Sequence, residues 1–297
     1  MNLVDHAKKS GFVALGCSPS EKPPFFDAFC QWIDAEKFGR MAWIKRHRDL
    51  RENPGALLPD CQTVISLAYP YAPAKLRTPD GFTMARYCEP KRKDYHTRVR
   101  EKAKHLALAL KESYPDAKFR VCVDSAPILE RSFAFRSGMG FVGKNNMLIV
   151  PGHGSYVFLA EILTTALLPG GQAEPIAEPM KDQCGNCTRC LDACPTGALE
   201  GPRRLDASKC LSYLTIEHAG DLDLKAGKRM GRCVLGCDVC QEVCPFNPGE
   251  KASSASLPST AEFLKMDNGK FKMLFGQTAL WRPGLERIQR NIRSACT

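Results

Sequence analysis

Cys184-Gly-Asn-Cys187-Thr-Arg-Cys190-Leu-Asp-Ala-Cys194-Pro195 is the stretch that decides how this chain is read. A second run, Cys237-Asp-Val-Cys240-Gln-Glu-Val-Cys244-Pro245, repeats its closing half, and Cys210 lies between the two. A cubane iron–sulfur cluster needs four converging thiolates. A tight turn supplies three, and in paired C-x2-C-x2-C-x3-C-P runs the fourth crosses over from the other motif. The spacing therefore predicts Cys184, Cys187, Cys190 and Cys244 on one [4Fe-4S] cluster, and Cys194, Cys210, Cys237 and Cys240 on the other. Paired C-x2-C motifs also build zinc ribbons. The three-cysteine run and both Cys-Pro endings have no use in a tetrahedral zinc site. Cys233 is left without a role. A chain with these runs moves electrons.

The rest of the composition sets bounds. A chain of 297 residues is long enough for about two domains, and its 44% hydrophobic and 25% charged content is that of a globular protein. Met1 to Gly16 has no long apolar stretch of the secretion-signal kind, and no run approaches the length of a membrane span. Many unpaired cysteines beside cluster ligands predict a reducing, cytoplasmic setting. The formal charge is +10 with thiols counted as neutral. Two clusters at roughly −2 apiece would leave about +6, an excess that favours a polyanionic partner such as nucleic acid.

Residues 1–170 read as an α/β domain. Cys61 to Tyr69 is a β-branched run suited to a buried strand, and Phe119–Val123 alternates like one. Asp94 to Tyr114 carries Val99, Leu106, Ala107 and Leu110 at helical spacing, and Ile128 to Ser137 is a second helix stopped by Gly138. Leu168 to Pro179 reads as a linker into a ferredoxin-like double-cluster domain over 180–250. Lys251 to Pro258 is a connector, and 251–297 is a short helical tail ending in Arg287, Arg290 and Arg293.

Three stretches admit two readings each. Gly138-Met-Gly140-Phe-Val-Gly143-Lys144-Asn145 matches G-x-G-x-x-G but follows a helix and leads into a strand, the reverse of the dinucleotide fold. Asn145 also stands where a P-loop requires Ser or Thr. It reads as a glycine-rich turn with close backbone approach, or as a ledge for a cofactor edge. Asp124 ends a strand before Ser125-Ala-Pro127, so it is either a helix cap or a proton donor at a strand end. Lys91, Arg92 and Lys93, interleaved with Tyr87 and Tyr95, form either a solvated helix start or a phosphate contact.

Together these segments resemble the epoxyqueuosine reductases of tRNA queuosine synthesis. The resemblance runs from Gly39-Arg-Met-Ala-Trp43 and Arg51-Glu-Asn-Pro54 through Asp94-Tyr-His96, Val123 to Arg131, and Gly138 to Asn145. It continues into Cys184–Cys187, Cys210 to Glu217 and Gly236 to Asn247, and that last block is its most specific part. The resemblance implies a cobalamin held between the α/β and cluster domains, as in reductive dehalogenases. It implies reduction of epoxyqueuosine to queuosine at the tRNA wobble position, fed through two [4Fe-4S] clusters by an external low-potential donor. Asp124 matches the family's proton donor, and Arg51, Cys88, Leu148, Leu159, Ser212 and Asp238 match its cobalamin contacts. Glu89 to Lys93 is slightly longer than the usual link into Asp-Tyr-His. The chain matches the short form, without a C-terminal helical-repeat domain, and a monomer binding the anticodon stem-loop is expected. The rival readings are a corrinoid enzyme acting on a small organohalide and a plain two-cluster electron carrier.

Overall fold

A computed structural model describes residues 3–72, 74–169, 178–249 and 257–296. In chain order its strands are β1 Ala14–Pro19, β2 Thr63–Pro70, β3 Leu76–Arg77, β4 Thr83–Met84, β5 Phe119–Cys122, β6 Phe141–Val142, β7 Leu148–Ile149 and β8 Val157–Thr164. In the cysteine-rich part they are β9 Leu199–Gly201, β10 Arg204–Leu205 and β11 Cys233–Leu235. The main sheet has the order β1-β2-β8-β5, and every pairing in it is antiparallel. The fold is mixed α and β, but without the parallel crevice that places chemistry at strand ends in doubly wound sheets.

β2 is central, and its run Val64–Ala68 is buried on both faces. Alternation sends Ile65, Leu67 and Tyr69 one way, where they meet Phe158, Ala160 and Ile162 and the helix Tyr95–Ser113 through Val99, Ala103, Leu106 and Leu110. Asp94 is that helix's N-cap; its Oδ1 accepts the His96 amide at 2.8 Å. On the opposite face Val64 and Leu163 pack on Ile128 and Phe133 beside the helix Glu130–Arg136. The linker predicted at 168–179 falls largely on residues 170–177, and the connector at 251–258 largely on 251–256. Both spans lie outside the described residues.

A second apolar core draws on three distant segments. Leu76, Met84 and Cys88 meet Val234 and Leu235, and both sets pack against Phe263, Phe271, Leu280, Ile288 and Ile292. β11 joins β4 in parallel, so the cysteine-rich region adds a strand to a ribbon begun by β3 and β4. The helix Leu285–Ala295 supplies the polar fastening. Asn291 is fully buried, and its Nδ2 donates to the carbonyls of Thr215 at 2.9 Å and Val234 at 2.8 Å. Arg290 donates to the carbonyls of Leu214 and His218 at 2.8 and 2.6 Å, closing the end of the helix Leu211–Ile216.

Asn291→Ala leaves two buried carbonyls without donors, so we expect a loss of about 2–4 kcal/mol. Anaerobic denaturant unfolding of the cluster-loaded protein checks this; an unchanged midpoint would contradict it.

Candidate active site and cluster region

Both cysteine runs fold into the same device. Each ends in a four-residue helix, Arg189–Asp192 and Val239–Glu242, entered through a tight turn. The last cysteine of each run donates its amide back into that turn, Cys194 to Leu191 and Cys244 to Gln241. Cys184, Cys187, Cys190 and Cys244 line one cavity together with Lys144, Asn145 and Ile149. Cys240 interacts electrostatically with Cys237, Cys210, Cys190 and Cys194, and Cys210 with Cys237 and Cys194. The cavity thus gathers the first expected quartet, while Cys240 feels thiols of both. These eight thiols are a donor set that fits two cubanes. Cys233 sits against Cys237 and hydrogen-bonds to it.

The glycine-rich stretch is a hairpin whose purpose is packing. At Gly140 a Cβ would come within 2.2 Å of the Ile149 carbonyl oxygen, so only glycine lets β6 and β7 approach. The turn between them reaches into the cysteine region. Lys144 Nζ donates to the carbonyls of Gly185 at 2.6 Å and Cys187 at 2.9 Å, and Asn145 Nδ2 donates to that of Cys240 at 3.1 Å. A lysine and an asparagine thus clasp both cysteine runs from the first part of the chain. The sequence reading missed this, because a backbone carbonyl partner leaves no trace in residue types.

Asp124 follows β5 in a left-handed turn, φ +52°, with its amide held by Glu130 Oε1 at 2.6 Å. Its side chain is 54% exposed. Oδ2 accepts from Tyr95 Oη at 2.7 Å and faces His96 Nε2 at 2.6 Å, while His96 Nδ1 faces Asp94 Oδ1 at 2.8 Å. Two carboxylates on the two ring nitrogens suit an imidazolium, which donates from both. Burial opposes a charge on His96, but the hydrogen bonds to Asp124 and Asp94 outweigh it and raise its pKa. Burial likewise opposes ionisation of Asp124, and the bonds from His96 and Tyr95 outweigh it, holding the carboxyl below its ordinary value. The helix-cap reading of Asp124 finds no support, since its carboxylate bonds side chains of the helix Tyr95–Ser113 instead. Arg282 also contacts the His96 ring. Neither His96 nor Arg282 stood out in the sequence as a site residue.

The residues matched to cobalamin contacts divide into three groups. Cys88 and Asp238 are buried neighbours, and Tyr87 beside them feels the charges of both Asp238 and Asp124. Leu148 and Leu159 belong to one apolar cluster with Met139 and Val150. The β5–β8 register pairs Cys122 with Glu161, and two further steps would bring Asp124 abreast of Leu159. An apolar floor with a carboxylate at its rim fits a flat macrocycle. Arg51 and Ser212 are engaged elsewhere: the Arg51 guanidinium donates to the carbonyls of Ile44 and His47, and the Ser212 amide points at the Cys210 sulfur.

The predicted basic surface is largely committed as well. Arg92 and Lys93 pair with Glu89 and Glu101, and Arg287 and Arg290 bond backbone carbonyls around the helix Leu211–Ile216. Arg287 and Arg290 there satisfy the last carbonyls of that helix.

Two cysteine runs of double-cluster spacing, in one chain with an acid–base cluster, are those of an iron–sulfur oxidoreductase. Residues 183–247 match the 4Fe-4S double cluster binding domain, and residues 51–125 match Epoxyqueuosine reductase QueG, DUF1730. The epoxyqueuosine reductase of Pseudomonas aeruginosa is 34% identical over 98% of this chain and 83% of its own length. That of Cyclobacterium marinum is 36% identical over 96% and 93%. The solved Streptococcus thermophilus enzyme superposes with a TM-score of 0.86 at 28% identity, covering 99% of this chain and 79% of that one. An epoxyqueuosine reductase bound to an epoxyqueuosine-modified tRNA-Tyr stem loop superposes at 0.82 with 32% identity, over 99% and 79%. The chain belongs to the epoxyqueuosine reductase family.

Cys210→Ala should lose about half of roughly eight iron atoms, whereas Cys233→Ala should lose none. Iron and sulfide assays of anaerobically purified variants read this directly; equal losses would overturn the quartets.

Proposed function

We propose that this protein reduces epoxyqueuosine in tRNA to queuosine, with electrons relayed through two [4Fe-4S] clusters to a cobalamin. The reading is carried by the acid–base cluster Asp94–His96–Asp124 lying beside cysteine runs of double-cluster spacing, in a chain of this family. The tRNA-bound relative supports the substrate. The two cysteine quartets are the proposed cluster ligands. Cys88, Leu148, Leu159 and Asp238 are the proposed cofactor neighbours, on the apolar floor and its buried acidic edge. Ser212 reaches that region through the cluster ligand Cys210. Arg51, whose guanidinium bonds the Ile44 and His47 carbonyls, is a cofactor contact on the resemblance alone.

Deoxygenation of an epoxide to an alkene consumes two electrons and two protons and releases water. A corrinoid, when bound, supplies low-potential electrons to the strained carbon; the chain supplies the protons and the geometry. An alkoxide leaves poorly unless it is protonated. Asp124 stands half exposed at the rim and is held ionised, so the proton it passes on is stored on His96 Nε2. Tyr95 keeps the carboxylate aimed: its ring stacks on Phe158 with centroids 4.1 Å apart and 3° between planes. Asp94 holds the far side of the imidazolium, and Arg282 closes the other flank. The electron donor is external and of low potential, and the working unit is a monomer in a reducing, cytoplasmic setting. Among the described residues no helix is long and apolar enough to cross a membrane.

Asp124→Asn keeps the shape of the turn but cannot relay a proton. Turnover of epoxyqueuosine-containing tRNA should fall by about two orders of magnitude or more, with iron content and bound cobalamin unchanged. Wild-type turnover would remove Asp124 from the chemistry. The raised His96 keeps its proton above the ordinary imidazole range, so the rate should hold through neutral pH and fall as pH rises past that raised value. His96→Gln should abolish this alkaline limb; a limb that survives belongs to another group.

A further inference from the structure

Beneath Asp124 the sheet buries a carboxyl that the chemistry above does not touch. Glu161 on β8 is 0% exposed, and neither of its carboxyl oxygens has a hydrogen-bond partner. Its cross-strand neighbours on the same face are Cys122 and Ser66, and the Ser66 hydroxyl is buried without a partner too. An unpartnered carboxyl in a dry sheet interior is costly, and an apolar residue of that volume would do better there. Packing does not account for it.

What Glu161 faces is Glu130, the first residue of the helix Glu130–Arg136, with which it interacts electrostatically. Glu130 in turn accepts the Asp124 amide at 2.6 Å. Asp124 is a non-glycine residue at φ +52°, a conformation that persists only when surrounding bonds over-determine it. The Glu130 bond does this for the backbone, as Tyr95 and His96 do for the side chain.

We propose that Glu130 is a positioning residue that holds Asp124 in its left-handed turn, from a helix packed over the buried Glu161 carboxyl. This rests on the reading of Asp124 as the acid–base carboxyl. Two carboxylates in one dry site cannot both ionise, so the pair keeps its protons through neutral pH, and the Glu130 carboxyl accepts the Asp124 amide without setting a second charge beside Asp124. Burial first, then the charge of Asp124, pushes Glu130 up to about 8, and burial with the charge of Glu130 pushes Glu161 well above the carboxylate range. The other groups facing Glu130 are Arg131 on its own helix, His96 from the helix Tyr95–Ser113 and Cys122 on β5.

Two readouts on the holoenzyme test this. The first is stability against pH. Glu130 has a folded pKa above its unfolded value of 4.5, so its contribution is complete below that value and is lost as pH rises through about 8. The melting temperature of the Glu130→Gln/Glu161→Gln double variant should therefore fall less than that of wild type between about pH 5 and about pH 9. An unchanged slope overturns the protonated pair. The second is turnover with an epoxyqueuosine-modified stem loop and dithionite-reduced methyl viologen. Glu130→Ala should lower kcat about ten-fold with KM little changed, and Glu130→Gln, whose amide oxygen still accepts the Asp124 N–H, should recover most of it. Equal kcat values for the two variants overturn the positioning role. If the alanine variant fails to fold, the pH slope of the double variant still decides the pair. Wild-type turnover in a parallel Asp124→Asn variant would instead sink the acid reading, leaving the slope as evidence on the pair alone.

Discussion

The backbone seam between β4 and β11 is the constraint on which the rest depends. Thr83 donates its amide to the Arg232 carbonyl at 2.7 Å, Ala85 to that of Leu235 at 2.8 Å, and Arg86 to Asp238 Oδ2 at 2.8 Å. Three successive anchors leave no freedom to slide, so Cys88 on one side and Cys237 on the other are set in fixed register. At Gly236 a Cβ would lie 2.5 Å from that of Ala85, so the approach is as close as two backbones allow. The residues proposed to meet a cofactor come from both sides of this seam.

A buried ion pair locks the end of the seam. The Arg86 and Asp238 side chains are 2% and 5% exposed and stand 3.2 Å apart, with Glu242 a second acidic partner of the arginine. Such pairs add little net stability over apolar residues of the same size, because desolvation offsets attraction. Their value lies in exclusivity. Any other alignment of the two segments would strand a buried charge, at a cost of about 3–5 kcal/mol.

Much of this was legible in the residues. The cysteine spacing predicted the double-cluster domain that residues 183–247 match, since three thiols on one turn have little other use. The strand at 63–70 followed from its β-branched run and that at 119–122 from alternation, and the glycine-rich stretch read correctly as a tight turn. The antiparallel order was not legible, because pairing direction leaves no mark on one strand's composition. Arg287 and Arg290 read as a basic surface because charge is visible in sequence and the carbonyls that absorb it are not. His96 and Glu161 escaped for a similar reason: a lone histidine or glutamate gains meaning only from what the fold sets within about 3 Å of it. Asp124 was singled out, but its protonation state belongs to the two side chains that meet it in space.

The fasteners of the two proposed quartets are made at different times. Lys144, which grips the turn around Cys184–Cys190, and Asn145, which grips Cys240, precede every cysteine of the two runs in the chain. Asn291 and Arg290, which grip the helix that begins just after Cys210, follow all of them. A nascent chain emerging from the ribosome thus offers the Cys184–Cys190 turn already clasped, while the helix bearing Cys210 stays loose until the segment at 285–295 has been translated and docked. The helix that begins after Cys210 is therefore the last part of the cysteine region to be fastened.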